Sequence, residues 1–146
     1  MKKAFFAGSF DPFTVGHKSI VDRALGLFDS VVVAVGDNSA KAPFQTVDER
    51  RNAISRVYAA DKRVEVCVYD GLTVDAARAI GCTHLLRGVR SVADFEYERQ
   101  LADANRNISG LETVLLYTLP EYSFVSSSLV RDLIKYGRAA DEFLPY

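Results

Sequence analysis

FFAGSFDPFTVGHKS, Phe5–Ser19, is an apolar run that breaks into glycine and proline and restarts as a helix with a histidine in its first turn. The run is short, and the Gly-Ser-Phe-Asp-Pro breaker after it decides for a strand. From Gly16 the period changes: Ile20, Val21, Ala24, Leu25 and Phe28 recur at three- and four-residue steps, with His17 on the same face at its open end. A strand that turns into a helix start in this way suits an anion, because the first N–H groups of the helix lack intrahelical partners and the helix dipole is positive there.

The rest of the chain repeats the alternation. Ser30–Val35 is β-branched with little polar alternation, as in a parallel strand covered on both faces. Thr46 and Glu49 have capping-box spacing ahead of a helix to about Ala60, and Val64–Tyr69 reads as a third strand. Thr73 is expected to cap a short helix that Gly81 stops, and Thr83–Leu86 is a fourth strand leaving through Arg87-Gly-Val-Arg90. A helix from Ser91 to Ser109, a strand over Glu112–Thr118 and a last helix over Ser126–Tyr136 complete the pattern. Five strands alternating with helices predict a single α/β domain over residues 1–146, doubly wound and Rossmann-like, with a five-stranded parallel sheet and helices on both faces. Ligands of such folds bind beyond the carboxyl ends of the strands. Ser9, His17, Lys41, Thr73, Arg87, Arg90 and Ser126–Ser128 all fall on strand-to-helix connections at that edge, whereas His84 begins a strand at the other.

Composition narrows the chemistry. With 146 residues, 49% of them hydrophobic, one ordinary core can be filled, and a formal net charge of −1 gives no global field to draw the protein to nucleic acid or an anionic membrane. The apolar run after Met1-Lys2-Lys3 is too short for a signal peptide or a membrane span, so a cytoplasmic location is expected. Cys67 and Cys82 lack metal-ligand spacing and read as reduced thiols within strands; no metal ligands are predicted.

No G-x-G-x-x-G follows the first strand, and Gly8–Gly16 is too wide, and lacks the Gly-Lys pair, for a P-loop. No nucleophile elbow or Cys/His pair offers a covalent mechanism. A helix-start histidine, a lysine, two arginines and several hydroxyls remain, which is equipment for transfer at phosphorus by alignment and charge stabilisation. An attacking phosphate, already ionised at neutral pH, needs no general base. Blander readings stand beside these: a structural cap for His17, a solvated loop lysine for Lys41, surface pairing for Arg87 and Arg90, a solvated helix face for Glu98 in Asp94–Arg99, and an N-cap cluster for Ser126–Ser128. Phe95, Tyr97 and Leu101 read as packing or subunit contact.

Gly8-Ser-Phe-Asp-Pro12 followed by Thr14-Val-Gly-His17 resembles the T/H-x-G-H signature of the nucleotidylyltransferase superfamily, and Tyr122-Ser-Phe-Val-Ser-Ser-Ser128 resembles its C-terminal signature. With Arg87-Gly-Val-Arg90 and Ala93-Asp-Phe-Glu-Tyr-Glu98, the chain is similar over nearly its whole length to the bacterial phosphopantetheine adenylyltransferases. Ser9 stands where threonine is frequent and Tyr122 where tryptophan is expected; the hydroxyl and the aromatic face are kept. The resemblance implies transfer of the adenylyl group of ATP to 4′-phosphopantetheine, giving dephospho-coenzyme A and pyrophosphate in the penultimate step of coenzyme A synthesis. It implies direct in-line attack, Mg²⁺ arriving with ATP, a homohexamer, and coenzyme A as a possible feedback ligand. Carried over by motif, His17, Lys41 and Arg90 are catalytic. ATP meets Ser9, Phe10, His17, Gly88, Val89, Arg90, Glu98 and the run Tyr122, Ser123, Phe124, Val125, Ser126, Ser127 and Ser128, while phosphopantetheine meets Ser9, Lys41, Thr73 and Arg87. The alternatives are a related nucleotidylyltransferase with another acceptor, and a non-catalytic ATP-sensing α/β module.

Overall fold

The computed structural model describes residues 1–37 and 42–146. In chain order it contains β1 (Lys3–Gly8), α1 (Val15–Ala24), β2 (Ser30–Gly36), α2 (Val47–Val57), β3 (Val64–Tyr69), α3 (Thr73–Ala79), β4 (His84–Val89), α4 (Val92–Ser109), β5 (Glu112–Tyr117) and α5 (Ser127–Lys135), with single 3₁₀ turns at Pro120–Tyr122 and Asp141–Phe143. The strands form one parallel sheet in the order β3-β2-β1-β4-β5, the doubly wound arrangement that the alternation predicts. The chain leaves β1 toward β2 and β3, then returns to lay β4 on the other side of β1. The carboxyl ends of β1 and β4 therefore flank the topological switch point, where a cleft is to be expected.

Each strand supplies two half-cores. Phe6, Val31, Val33, Val35 and Leu86 face Ile20, Val21 and Ala24 of α1 and Ile54 of α2. Phe5, Ala7, Val32, Ala34 and Leu85 face Val74 and Ala77 of α3. Val31–Val35 are fully buried, which is why this strand shows no polar alternation. Local chemistry fixes the helix starts: Thr14 with His17 and Thr46 with Glu49 form complete capping boxes, and Ser91 caps α4, which ends at Gly110 in the left-handed region (φ 79°).

Three local expectations need correction. α1 ends at Ala24 and not at Phe28; a turn through Leu25–Leu27 still returns Phe28 to the core at 7% exposure, so the apolar periodicity outlasts the helix. β4 continues through Val89, with Arg87, Gly88 and Val89 paired to Leu115, Leu116 and Tyr117, so Arg87 lies within the strand and not at its exit. Thr73 does not cap α3: the N-cap is Leu72, and the Thr73 Oγ1 lies 3.0 Å from the Tyr69 hydroxyl. His84 packs edge-on against Phe28 at the amino edge of the sheet, away from the switch point, as expected. Both cysteines are free, and burial pushes the Cys82 thiol up to about 11. No helix among the described residues is long and apolar enough to cross a membrane.

Candidate active site

A cleft of about 400 Å³ opens at the switch point between the ends of β1 and β4, closed by the starts of α1, α4 and α5. Its floor is the turn after β1. Phe10 lies in the left-handed region (φ 49°), uncommon for an aromatic residue, and its ring folds back over Gly8. That ring is 4% exposed and wedged against Phe6, Phe13 and His17, with centroids 5.2, 5.4 and 5.0 Å away. A Cβ at Gly8 would lie 2.9 Å from Phe10 Cε1 and Cζ. Gly8→Ala is thus expected to cost about 1–3 kcal/mol by overpacking. It should also lower turnover more than nucleotide affinity, because His17 is the nearest of the three rings that a displaced Phe10 would push; a denaturant melt beside steady-state kinetics checks both.

His17 is partly buried at the first turn of α1. Its Nδ1 accepts the Thr14 backbone N–H at 2.9 Å, and its own backbone N–H reaches Thr14 Oγ1 at 3.4 Å. An Nδ1 that accepts from a backbone amide carries no proton, so the neutral ring is protonated on Nε2. Burial first, and then the charges of Arg90 and Arg87, pull the imidazole down to about 3. At neutral pH this side chain is therefore an uncharged donor through Nε2–H. The positive end of the α1 dipole acts in the same direction as these causes, whereas a bound triphosphate would act against them.

The β4 wall carries the arginines. Arg87 makes a two-pronged pair with Glu98 of α4, Nε to Oε2 at 2.8 Å and Nη2 to Oε1 at 2.7 Å, and donates through Nη1 to the Ala7 carbonyl at 2.5 Å. Glu98 is 5% exposed, so its carboxylate depends on this partner. Arg90 is held by Asp94, Nε to Oδ2 at 3.5 Å, and reaches the Val125 carbonyl at 3.4 Å. Gly88 sits under Ile20, whose Cγ1 and Cδ1 would lie 3.2 and 3.3 Å from an added Cβ.

The α5 side brings the serines. Ser126 caps α5 through the Leu129 N–H at 3.0 Å, Ser127 donates to the Pro12 carbonyl at 2.7 Å, and Ser128 accepts from Arg131 at 3.0 Å. Arg131 also donates to the Asp11 carbonyl at 2.7 Å. Arg131 and Asp94 are not among the residues that the sequence points to, although Arg131 lies one turn after Ser127 and Ser128 on the same surface of α5, and Asp94 lies in the first turn of α4, four residues after Arg90.

The cleft thus brings together Ser9, Phe10, His17, Arg87, Gly88, Arg90, Glu98, Val125, Ser126, Ser127 and Ser128. It leaves out Val89, whose side chain is buried, and Thr73, Tyr122, Ser123 and Phe124. Tyr122 still touches the site indirectly, its Cβ 3.9 Å from where a Cβ at Gly16 would stand, whereas Phe124 is 60% exposed and packs edge-on against Phe143. Lys41 lies outside the described residues. Among its described residues the cleft's inventory is a neutral imidazole donor, hydroxyls, guanidinium groups and the carboxylates of Asp11, Asp94 and Glu98, each of them engaged with protein donors, without a paired nucleophile and base. Such a set can align and stabilise a polyphosphate but has no covalent route.

Comparison with known proteins agrees with this geometry. The cytidylyltransferase-like family matches residues 5–133. Phosphopantetheine adenylyltransferases from Porphyromonas gingivalis and Phocaeicola vulgatus are 53% and 46% identical to the chain, each alignment covering 99% of it and 96% of the relative. Among solved structures, the bifunctional NMN adenylyltransferase/ADP ribose pyrophosphatase of Francisella tularensis complexed with AMP and Mn ion superposes with a TM-score of 0.72 at 12% identity, over 99% of this chain and 44% of that one. Plasmodium falciparum nicotinic acid mononucleotide adenylyltransferase complexed with NaAD gives 0.67 at 13% identity, over 99% of this chain and 91% of that one; at such identities these two speak for the fold. Relatives about half identical from end to end, on a fold whose cleft opens at the switch point, carry one conclusion: the chain belongs to the phosphopantetheine adenylyltransferase family.

Proposed function

We propose that the protein transfers the adenylyl group of ATP to 4′-phosphopantetheine, giving dephospho-coenzyme A and pyrophosphate. The observation that carries the mechanism is the Nε2-protonated, uncharged His17 facing a cleft of arginines and hydroxyls. An oxygen of the acceptor phosphate attacks the α-phosphorus in line, the new O–P bond forming as the bond to the β-phosphate oxygen breaks, and the electron pair leaves with pyrophosphate. The acceptor is already ionised, so no base is required. His17 Nε2–H and the backbone at Ser9 and Phe10 donate to the phosphate oxygens on which charge builds, Arg90 and Ser126–Ser128 hold the nucleotide, and Arg87, Lys41, Ser9 and Thr73 serve the acceptor. Glu98 serves the ATP side while fixing Arg87.

ATP enters as its Mg²⁺ complex in this reading. Among the described residues no three His, Cys, Asp or Glu side chains converge to hold an ion. The cleft carboxylates Asp11, Asp94 and Glu98 are engaged with protein donors, which fits a metal brought by the triphosphate better than a resident one. A cytoplasmic homohexamer, with coenzyme A as a feedback ligand competing for the same cleft, completes the proposal. Tyr97, Leu101 and Ile108, exposed at helical spacing along one flank of α4, support association between copies.

Pyrophosphate release from a panel of nucleotide and acceptor pairs tests the assignment. Turnover is expected with ATP and phosphopantetheine, and in reverse with dephospho-coenzyme A. Turnover on nicotinate mononucleotide or glycerol phosphate instead would overturn the acceptor, and ATP binding without turnover on any acceptor would leave a sensing module.

A further inference from the structure

Arg50, on the second turn of α2, is 5% exposed and does not line the cleft. Among the described residues no carboxylate lies within ion-pair distance of it. Its guanidinium is instead spent on four backbone carbonyls: Nη1 donates to Ser9 O at 2.6 Å and to Gly36 O at 3.3 Å, and Nε to Gln45 O at 3.2 Å and Thr46 O at 3.4 Å. Burying a full charge on carbonyls alone is expensive for a purely structural tie, since apolar packing of the same volume would hold α2 to the sheet as well.

The shortest of these bonds is to the peptide that matters for the cleft. A trans peptide is planar, with its C=O and N–H directed oppositely. With Ser9 O drawn onto Arg50 behind the turn, the Phe10 N–H of the same peptide faces the other way, into the cleft that Ser9 and Phe10 line. That N–H has no protein acceptor among the described residues. Phe10 in turn holds a left-handed conformation that costs roughly 1–3 kcal/mol and persists only when its surroundings fix it. The carbonyls on either side of Phe10 are both gripped by arginines, Ser9 O by Arg50 and Asp11 O by Arg131. Asp11 closes the clamp, accepting the Phe44 and Gln45 N–H groups at 2.8 Å each, from the segment whose Gln45 carbonyl Arg50 also holds.

We infer that Arg50 is a positioning residue for the nucleotide: by anchoring the Ser9 carbonyl it aims the Phe10 N–H at a phosphate oxygen, and its unpaired buried charge adds positive potential behind that amide. This rests on the reading of the cleft as a triphosphate site, but not on the identity of the acceptor. The buried charge, costly in the empty protein, is partly compensated when an anion arrives on the opposite side of the peptide.

Protein labelled with ¹⁵N-phenylalanine, the Phe10 signal being assigned by Phe10→Leu, is titrated with α,β-methylene-ATP. The Phe10 amide is expected to move downfield in the wild type. In Arg50→Lys, whose single ammonium cannot span four carbonyls, the shift is expected to fall by at least half and nucleotide affinity by about tenfold. Affinity for phosphopantetheine, measured by calorimetry, is expected to change less than about threefold in the same protein, a split that general loosening of the fold would not produce. A wild-type Phe10 amide that ignores the nucleotide overturns the inference whether or not the variant folds. So does an Arg50→Lys protein that keeps both shift and affinity, or one that loses both ligands equally. Absence of turnover on phosphopantetheine alongside the expected shifts would refute the acceptor and leave this positioning role standing.

Discussion

His17→Gln is expected to lower turnover by about 10²- to 10³-fold while changing stability by less than about 1 kcal/mol. The two effects separate because the two ring nitrogens have different tasks. Its Nδ1 accepts the Thr14 N–H and completes the capping box of α1, a place where glutamine serves equally well. Its Nε2–H faces the cleft, and no glutamine atom reproduces that position while the amide oxygen is held by Thr14. His17→Ala removes both and is expected to add a capping loss of about 0.5–2 kcal/mol. Steady-state kinetics beside urea melts reads the pair; equal turnover in wild type and His17→Gln would remove the Nε2 donor from the mechanism.

The same ring sets a pH dependence with a definite sign. Its pKa lies at about 3 in the folded protein against an ordinary 6.5, so the unfolded chain binds the proton more readily. Acid therefore favours unfolding: the contribution is fully present above about pH 6.5 and is lost as the pH falls toward 3, by about 1.4 kcal/mol per pH unit across that window. Wild type should lose stability relative to His17→Gln at that rate between about pH 6 and 4. A difference that stays level there would mean that the imidazole titrates normally. Turnover, for its part, should show no inflection near 6.5, because the working form is already neutral.

Much of this was legible in the chain. Phe5–Ser19 changes from a strand to a helical period across a glycine-proline break, and parallel strands buried on both faces, such as Ser30–Gly36, show no alternation, so element order and the edge at which the cleft opens followed from pattern alone. What pattern could not supply was the partner of each polar group. Thr73 has capping spacing, yet its hydroxyl meets Tyr69 on the neighbouring strand, a contact that depends on how β3 and α3 pack. Arg50 sits in the charged run Asp48-Glu-Arg-Arg51, and only the closeness of α2 to the β1 turn makes one of those arginines buried. Glu98 likewise lies in an acidic run; of that run it alone is buried, against Arg87 of β4.

That burial makes Arg87→Met the variant with the largest expected loss of stability, about 2–4 kcal/mol. The charge in danger is not the one removed. Arg87 is a third exposed in its side chain, whereas Glu98 is 7% exposed, and truncating the arginine leaves a buried carboxylate without either of its short bonds. The figure falls below the usual range for breaking a buried pair because water can reach the arginine's side of the contact. The Ala7 carbonyl also loses its donor, which loosens the end of β1 from β4 where the two define the cleft. Glu98→Leu alone should cost less in stability, since the freed guanidinium can turn toward solvent, but it releases Arg87 from a fixed orientation and should weaken acceptor binding. In Arg87→Met/Glu98→Leu the unpaired charge is gone, so stability should return to within about 1 kcal/mol of wild type, while affinity for phosphopantetheine stays at least tenfold down. A double variant no more stable than Arg87→Met would mean that the loss arises at the Ala7 carbonyl and not at Glu98. A double variant that binds the acceptor as wild type does would take Arg87 out of acceptor recognition.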